Sequence, residues 1–166
     1  MVVSVVTSFY LQQPEKLMKR TMQTGEKLEA RNGCRVLRVA GVLSTQTVDS
    51  YNSIIIAPDF SVWLRNPVIS RQHQIEDIIG VGRSISEADG VVRIEADILD
   101  DDAKTKITDG RLRGLSIGFD PKITFLRSDG ITVYIRPTVA EVGICTLPSN
   151  PNCTIDTVAC NDGVQK

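Results

Sequence analysis

From Arg35 onward, short segments rich in β-branched residues alternate with turn residues roughly every ten positions, which is typical of a sheet that closes into a barrel or sandwich. The clearest segment runs from Val91 to Ile98 and alternates apolar with charged side chains. One of its faces therefore meets a core and the other meets water. The apolar face carries Val92, Ile94, Ala96 and Ile98, and the polar face carries Arg93, Glu95 and Asp97.

Five further segments have strand composition, and two have the composition of short helices. The predicted fold class is therefore mainly β (α+β), a single β-barrel-like core of mixed or antiparallel strands with flanking short helices. One helix follows Pro58 and holds Phe60, Trp63 and Leu64, and the other spans Asp101 to Thr108. The further strands are Val36–Val42, Ile78–Ile85, Leu115–Phe119, Ile131–Ile135 and Val139–Thr146.

A chain of 166 residues fits one compact domain. Residues 1–33 read as an N-terminal arm or peripheral helix with only a thin apolar stripe. Residues 34–151 form the predicted core, and residues 152–166 have little apolar periodicity, so we expect a loose C-terminal tail.

Charge and cysteine content indicate the compartment and the partners. The 19 Lys and Arg residues nearly balance 20 Asp and Glu, and they are scattered, so nothing favours a nucleic-acid or anionic-membrane partner. No segment resembles a signal peptide or an apolar membrane span of about 20 residues. The cysteines are far apart and include no Cys-x-x-Cys pair, so we expect a reduced, cytoplasmic protein with buried or idle thiols rather than a metal site. They are Cys34, Cys145, Cys153 and Cys160.

The chain has a single histidine, His73. Zinc sites with two or three imidazole ligands and triads with two histidines are therefore excluded, and we expect no metal and no cofactor. A lone histidine is more often a surface or packing residue than a catalytic one. If an imidazole does chemistry in this protein, it belongs to His73.

The segment Gly114-Leu115-Ser116-Ile117-Gly118-Phe119 matches the Gly-x-Ser-x-Gly pattern of serine hydrolases. On a strand, Ser116 shares one face with Gly114 and Gly118, which predicts a groove free of side chains that an extended substrate could approach. The alternative is a glycine-rich strand with an incidental serine. The α/β-hydrolase interpretation fails because Pro121 rather than a helix follows and no histidine lies downstream.

Glu141 is a carboxylate on the alternating strand from Ala140 to Cys145. A buried acid needs a partner, so we expect Glu141 to accept the imidazole N–H and to fix its tautomer. The alternative for Glu141 is a salt bridge to a nearby arginine such as Arg136. The alternative nucleophile is Cys145, paired with His73.

The order His73, Ser116, Glu141 and the segments around these residues resemble the prohead (procapsid maturation) proteases of tailed bacteriophages, distant relatives of the herpesvirus assemblins. The resemblance covers about Arg35 to Cys153. The segments that carry it are Val48-Asp49-Ser50-Tyr51, Pro67-Val68 leading to Gln72-His73, Ile79-Gly80-Val81-Gly82-Arg83, Gly110 through Phe119, and Glu141-Val142-Gly143-Ile144 leading to Pro148-Ser149-Asn150-Pro151.

The resemblance implies a herpesvirus-protease-like fold and a Ser-His-Glu triad. Ser116 would be the nucleophile, His73 the general base and then acid, and Glu141 the residue that orients the imidazole, with Gly114 and Gly118 at the substrate. The sequence departs from the family pattern at Ser70-Arg71, where an apolar and aromatic approach to the histidine is expected, at Ala57-Pro58-Asp59-Phe60 and at Asn52. No arginine follows Glu141 to serve the oxyanion as in the herpesvirus relatives.

The implied function is a serine endopeptidase of virus capsid maturation. Its substrate would be the scaffold protein or the scaffolding segment of the major capsid protein, and also the protease itself. It would act in the host cytoplasm inside the assembling procapsid, as a monomer or, as in many relatives, a homodimer. Two other classes remain: a non-catalytic capsid-assembly or scaffold-binding module on the same fold, and a small β-barrel ligand-binding domain.

Overall fold

The structure is a computed structural model that describes residues 34–161, and these residues form a mainly β fold. The one α-helix described, α1, spans Asp101–Thr108, and a 3₁₀ turn spans Trp63–Arg65. The strands are β1 Val36–Thr45, β2 Ser53–Ile56, β3 Val68–Arg71, β4 Gln74–Ala88, β5 Val91–Ile98, β6 Gly114–Asp120, β7 Ile123–Leu126, β8 Thr132–Ile135, β9 Thr138–Cys145 and β10 Ile155–Asn161.

The strands make two sheets. The larger sheet has the order β10-β1-β5-β4-β3-β9-β6, and the smaller has the order β2-β8-β7. Neighbouring strands are antiparallel except for the parallel pairs β3–β9 and β2–β8. The β3–β9 pair places the chain leaving β3 beside the carboxyl end of β9.

The larger sheet curls into a half-barrel, so that its two edges approach each other. Gly114, the first residue of β6, forms a bridge with Thr154, just before β10 at the opposite edge. The Leu115 amide donates to the Cys153 carbonyl at 2.9 Å, and the Ile155 amide donates to the Arg113 carbonyl at 2.9 Å. The concave side encloses the core, which includes Leu37, Val39, Leu43, Val92, Ile94, Ala96, Ile98, Leu115, Ile117, Phe119, Val139, Val142 and Ile144.

Two sequence predictions match the structure in their bounds. Strand β5 spans Val91–Ile98 as predicted, and its apolar face is buried. Helix α1 begins after Asp100, whose side chain accepts a hydrogen bond from the Ala103 amide at 2.7 Å. This capping interaction satisfies an amide that the first helical turn leaves unpaired.

The polar face of β5 differs from the prediction at one position. Asp97 was expected to face water, but the residue is buried. Arg38 covers it through hydrogen bonds of 2.8 and 3.1 Å to the two carboxylate oxygens, and Arg83 lies 3.3 Å away. The predicted helix after Pro58 is also shorter than expected, a single 3₁₀ turn in which Trp63 is buried.

The C-terminal tail was predicted to be loose, and this is wrong for residues 155–161. They form β10, which pairs antiparallel with β1. The strand has only exposed and half-buried residues, so its stability comes from this pairing rather than from an apolar pattern of its own. The predicted N-terminal arm, residues 1–33, lies outside the described residues, as do residues 162–166.

The prediction of four unpaired thiols is wrong for two of them. Cys34 and Cys160 form a disulfide, and Cys145 and Cys153 are free and buried. The pairing of β1 with β10 brings the two Cα atoms to 5.7 Å, a separation that a disulfide spans. Within residues 34–161, no helix is long and apolar enough to cross a membrane.

Candidate active site

A tight hairpin turn between β3 and β4 carries His73. Arg71 pairs with Gln74, so Gln72 and His73 are the two turn residues. Their φ angles are 52° and 59°, and positive φ at both central residues defines a type I′ turn. Glycine, asparagine and aspartate dominate such turns, because other side chains cost about 1–2 kcal/mol each in this backbone region. Neither turn residue here is one of those.

Contacts with the end of β9 fix the turn. The Gln72 amide donates to the Ile144 carbonyl at 3.0 Å, which continues the parallel pairing of β3 with β9. The Gln72 side chain donates from Nε2 to Thr146 Oγ1 at 2.8 Å and accepts at Oε1 from the Thr146 amide at 3.3 Å. Two strands and a side-chain amide therefore determine where the next residue, His73, points.

The His73 imidazole lies over Gly143 of β9 with its side chain 6% exposed. A Cβ atom at position 143 would come within 3.4 Å of both Cε1 and Nδ1 of the ring, so glycine leaves the space that the ring occupies. Nδ1 lies 3.2 Å from Glu141 Oε2. The other ring nitrogen, Nε2, is buried and has no hydrogen-bond partner among residues 34–161.

Glu141 is held from two sides. Oε2 faces His73, and Oε1 accepts a short hydrogen bond from the Ser70 hydroxyl. Burial opposes ionisation of this carboxyl, but the hydrogen bonds from His73 and Ser70 offset it and hold the pKa of Glu141 below its usual value. The expected partnership of Glu141 with the imidazole is thus present, and the alternative pairing with Arg136 is not formed.

Ser116 lies on β6 directly opposite Gly143. Directly paired residues of neighbouring strands project their side chains to the same face, about 5 Å apart. The Ser116 side chain therefore shares the face that the His73 ring covers. The prediction that Ser116 sits on a strand whose apolar neighbours point to the core is confirmed, since Leu115 and Ile117 are buried.

Ser116 and His73 are not hydrogen bonded. The Ser116 side chain has no hydrogen-bond partner among the described residues, and the residue is 8% exposed. The three predicted residues thus meet on one face of β3, β9 and β6, with the Glu141–His73 contact formed and the contact between His73 and Ser116 open.

The predicted groove is not free of side chains at either glycine. A Cβ atom on Gly114 would lie 2.5 Å from Pro148 and 2.9 Å from the Cys145 sulfur. A Cβ atom on Gly118 would lie 3.1 Å from Glu141 Oε2. Both glycines accommodate neighbouring groups, one the loop after β9 and the other the Glu141 carboxylate, and neither lines open space for a substrate.

The free cysteines are poor nucleophiles in this setting. Burial raises the pKa of Cys145 to about 12, and burial together with the nearby Cys145 raises the pKa of Cys153 to about 12. The thiolate is the reactive form of cysteine, and almost none exists at neutral pH with such values. The Cys145–His73 alternative therefore loses support to Ser116.

A cleft of about 510 Å³ opens beside the turn. This size is within the range of sites that hold small ligands or peptide side chains. Gln72 and Thr146, the pair that anchors the turn, form part of its wall, so the cleft adjoins the site. Its other lining residues are Arg71, Lys106, Gly110, Arg111, Leu112 and Arg113.

Three site residues were missed by sequence reasoning. Ser70, Gln72 and Thr146 hold the Glu141 carboxylate and the histidine turn, and sequence reasoning gave none of them a role in the site. The available signal was the proximity of Ser70 and Gln72 to His73 in the chain. No family model matches the chain, and comparison with curated proteins finds no match either.

Proposed function

We propose that the protein is a serine endopeptidase with Ser116 as nucleophile, His73 as general base and then acid, and Glu141 as the residue that orients the imidazole. One observation carries this proposal. One nitrogen of the only imidazole in the chain lies on a carboxylate. The other nitrogen is buried, is on the face that bears Ser116 and has no hydrogen-bond partner within the described part of the chain.

The chemistry follows from the tautomer that Glu141 selects. An ionised carboxylate accepts only, so Nδ1 carries the proton and Nε2 presents a lone pair. As Ser116 Oγ attacks a peptide carbonyl carbon, its proton passes to Nε2. The imidazolium then protonates the leaving amine, and water repeats the cycle on the acyl-enzyme.

Ser116 must turn toward Nε2 for this step. Rotation about its Cα–Cβ bond redirects the hydroxyl without moving β6, and catalytic hydrogen bonds often close only when a substrate is bound. Ser70 and Glu141 also lie on that face, but the Ser70 hydroxyl donates to Glu141 and both Glu141 oxygens are already engaged, so His73 is the better acceptor for the proton that leaves Ser116.

The resemblance to prohead proteases supplies the biological part of the proposal. On that basis the fold is herpesvirus-protease-like, and the substrate is a capsid scaffold protein or the scaffolding segment of a major capsid protein, with self-cleavage. The site of action is the host cytoplasm, inside the assembling procapsid. The cleft beside Gln72 offers space for a polypeptide next to the site.

Cleavage by purified variants tests the proposal. The full chain is incubated with its capsid and scaffold proteins, and fragments are followed by gel electrophoresis and mass spectrometry. Ser116→Ala and His73→Ala should abolish cleavage, while Ser84→Ala, an exposed serine on β4, should not. Undiminished cleavage by either site variant contradicts the assignment.

A non-catalytic assembly module on the same fold is the second candidate, and the open contact between Ser116 and His73 favours it. In that case Ser116 would not react with a serine-directed acylating reagent, although the chain would still assemble with capsid protein. Reaction of Ser116 with such a reagent, and loss of that reaction in His73→Ala, would exclude this candidate.

A further inference from the structure

Ser70 lies at the centre of the site, although sequence reasoning gave it no role there. It is on β3, three residues before His73, and is 1% exposed. Its partner across the parallel β3–β9 pair is Gly143, the residue under the imidazole. The hydroxyl donates to Glu141 Oε1, so Ser70 contacts the carboxylate on the side away from the imidazole.

The two oxygens of Glu141 thus have separate partners. Oε1 accepts from Ser70, and Oε2 faces Nδ1 of His73 at 3.2 Å. A glutamate side chain has three rotatable bonds and loses about 1.5–2 kcal/mol of rotamer freedom when it is fixed. The Ser70 hydroxyl, fixed on β3, restricts that freedom independently of the imidazole. It also gives a hydrogen bond to Glu141 Oε1, which water reaches poorly.

We propose that Ser70 is a positioning residue, which holds the Glu141 carboxylate so that Oε2 faces Nδ1 of His73 and selects the tautomer with Nε2 free. This inference rests on the proposed function, because the tautomer matters only if Nε2 accepts a proton. Ser70 does not touch the substrate or the nucleophile, and it acts through Glu141 alone.

A merely structural Ser70 would behave differently. If the hydroxyl only stabilises the packing of β3 on β9, its removal lowers stability but leaves the ring tautomer unchanged. It would also slow the reaction equally whether or not Glu141 is ionised. A positioning role predicts that the effect of Ser70 disappears once the carboxylate is gone.

A double-mutant cycle separates the two roles. The rate at which a fluorophosphonate labels Ser116 is measured for the full chain and for Ser70→Ala, Glu141→Gln and the double variant. Ser70→Ala should slow labelling by about 10- to 100-fold, the range for a hydrogen bond to a charged group. On the Glu141→Gln background the same change should have less than about a 3-fold effect. Equal effects on both backgrounds, or no effect at all, would overturn the inference.

Ser53→Ala is the matched control. Ser53 is also buried and also donates to a carboxylate, Asp49 Oδ2 at 2.8 Å. It lines the small cavity that Ser116 also lines, but its side chain is hydrogen bonded to Asp49 and not to Glu141 or His73. Its loss should leave the labelling rate within about 2-fold of the unmodified chain. If Ser70→Ala does not fold, Ser70→Cys serves instead, because the thiol keeps a weak donor and should give an intermediate rate.

The single histidine permits a readout that does not depend on activity. In ¹⁵N NMR spectra of the full chain at neutral pH, all imidazole signals come from His73, and they distinguish the two ring tautomers. The unmodified chain should show the proton on Nδ1, and Ser70→Ala should show a mixture. An unchanged tautomer in Ser70→Ala overturns the inference. A changed tautomer in a chain whose Ser116 never reacts supports the positioning role and contradicts only the protease assignment.

Discussion

Two hairpin turns flank β4, and they share a backbone geometry but not a sequence. The turn after β4 is Asp89-Gly90 with φ angles of 52° and 75°, and the turn before it is Gln72-His73 with angles of 52° and 59°. Asp-Gly is a preferred sequence for a type I′ turn. Gln-His is not, so Gln72 and His73 occupy a conformation that their side chains disfavour.

The two turns therefore differ in their role. One closes a hairpin with residues that suit it, and the other positions an imidazole. At Asp89-Gly90 the residues suit the backbone and their side chains have no role in the site. At Gln72-His73 the backbone strain is offset by contacts with β9, and the result is an imidazole held over Gly143. Strain of this kind is common at functional sites, where surrounding structure enforces it.

We expect the largest difference between the turns when one residue of each is changed to asparagine. His73→Asn keeps a residue that tolerates positive φ but removes the proposed base, so the proposed cleavage of scaffold and capsid proteins should fall by at least about 10⁴-fold. Asp89→Asn should cleave at the rate of the unmodified chain. Quantified fragments over time check both. A His73→Asn variant with more than a tenth of the original rate would break the comparison.

Gly143→Ala tests the surface on which the Gln72-His73 turn places the imidazole. The new Cβ atom would lie 3.2 Å from Ser70 Oγ, so the hydroxyl that holds Glu141 must shift by a few tenths of an ångström, and it would touch the His73 ring at 3.4 Å. Small misplacements of catalytic groups cost roughly 10²-fold, and we expect that loss in the rate of Ser116 labelling. Thermal unfolding confirms that the variant is folded. A folded variant whose Ser116 is labelled at an unchanged rate would show that the positions of the Ser70 hydroxyl and the His73 ring are not critical.

Gly90→Ala tests the Asp89-Gly90 turn. A side chain at φ 75° should lower the free energy of unfolding by about 1–2 kcal/mol, because alanine disfavours this conformation. The flexible end of Gln46, 2.8 Å from the new Cβ, can move aside. Urea denaturation gives the stability, and the labelling rate should stay unchanged. Loss of activity without loss of stability would contradict the division between the two turns.

The smallest expected effect is in the pH dependence of stability. The folded chain holds the pKa of Glu141 below its unfolded value, so the ionised carboxylate stabilises the fold above the unfolded pKa of about 4.3. That contribution is lost as the pH falls through the folded pKa. The difference in unfolding free energy between the unmodified chain and Glu141→Gln should therefore shrink as the pH is lowered from about 6 toward 3. A difference that is constant with pH would show that the carboxylate is not stabilised in its ionised form.

The sequence predicted the elements that carry their own signal. Strand β5 alternates over eight residues and α1 is followed by the turn signal Asp109-Gly110, so local patterns were sufficient. The four-residue strands β2, β3 and β7 were missed because so short a segment has no measurable period, whereas β8, which is equally short, was predicted because Asp129-Gly130 and Pro137 mark both of its ends. Strand β10 and the Cys34–Cys160 disulfide depend on the pairing with β1, which no local pattern shows.

The candidate site was predicted in part, for a similar reason. His73, Ser116 and Glu141 were named from residue chemistry, chain order and resemblance, and the structure brings them to one face. The means of holding them could not be predicted. The histidine turn lacks glycine, asparagine and aspartate, and Ser70 meets Glu141 only because β3 runs parallel to β9. Gly114 and Gly118 suggested open space, but distant parts of the chain fill it.

The proposed function requires Ser116 to be an activated nucleophile, and covalent labelling tests this most directly. The full chain is treated with a fluorophosphonate at neutral pH, where attack by Ser116 Oγ on phosphorus expels fluoride, and the modified residue is located by peptide mass spectrometry. The proposed function predicts an adduct on Ser116 that His73→Asn does not form. An unmodified Ser116, or equal labelling in the presence and absence of His73, would contradict it.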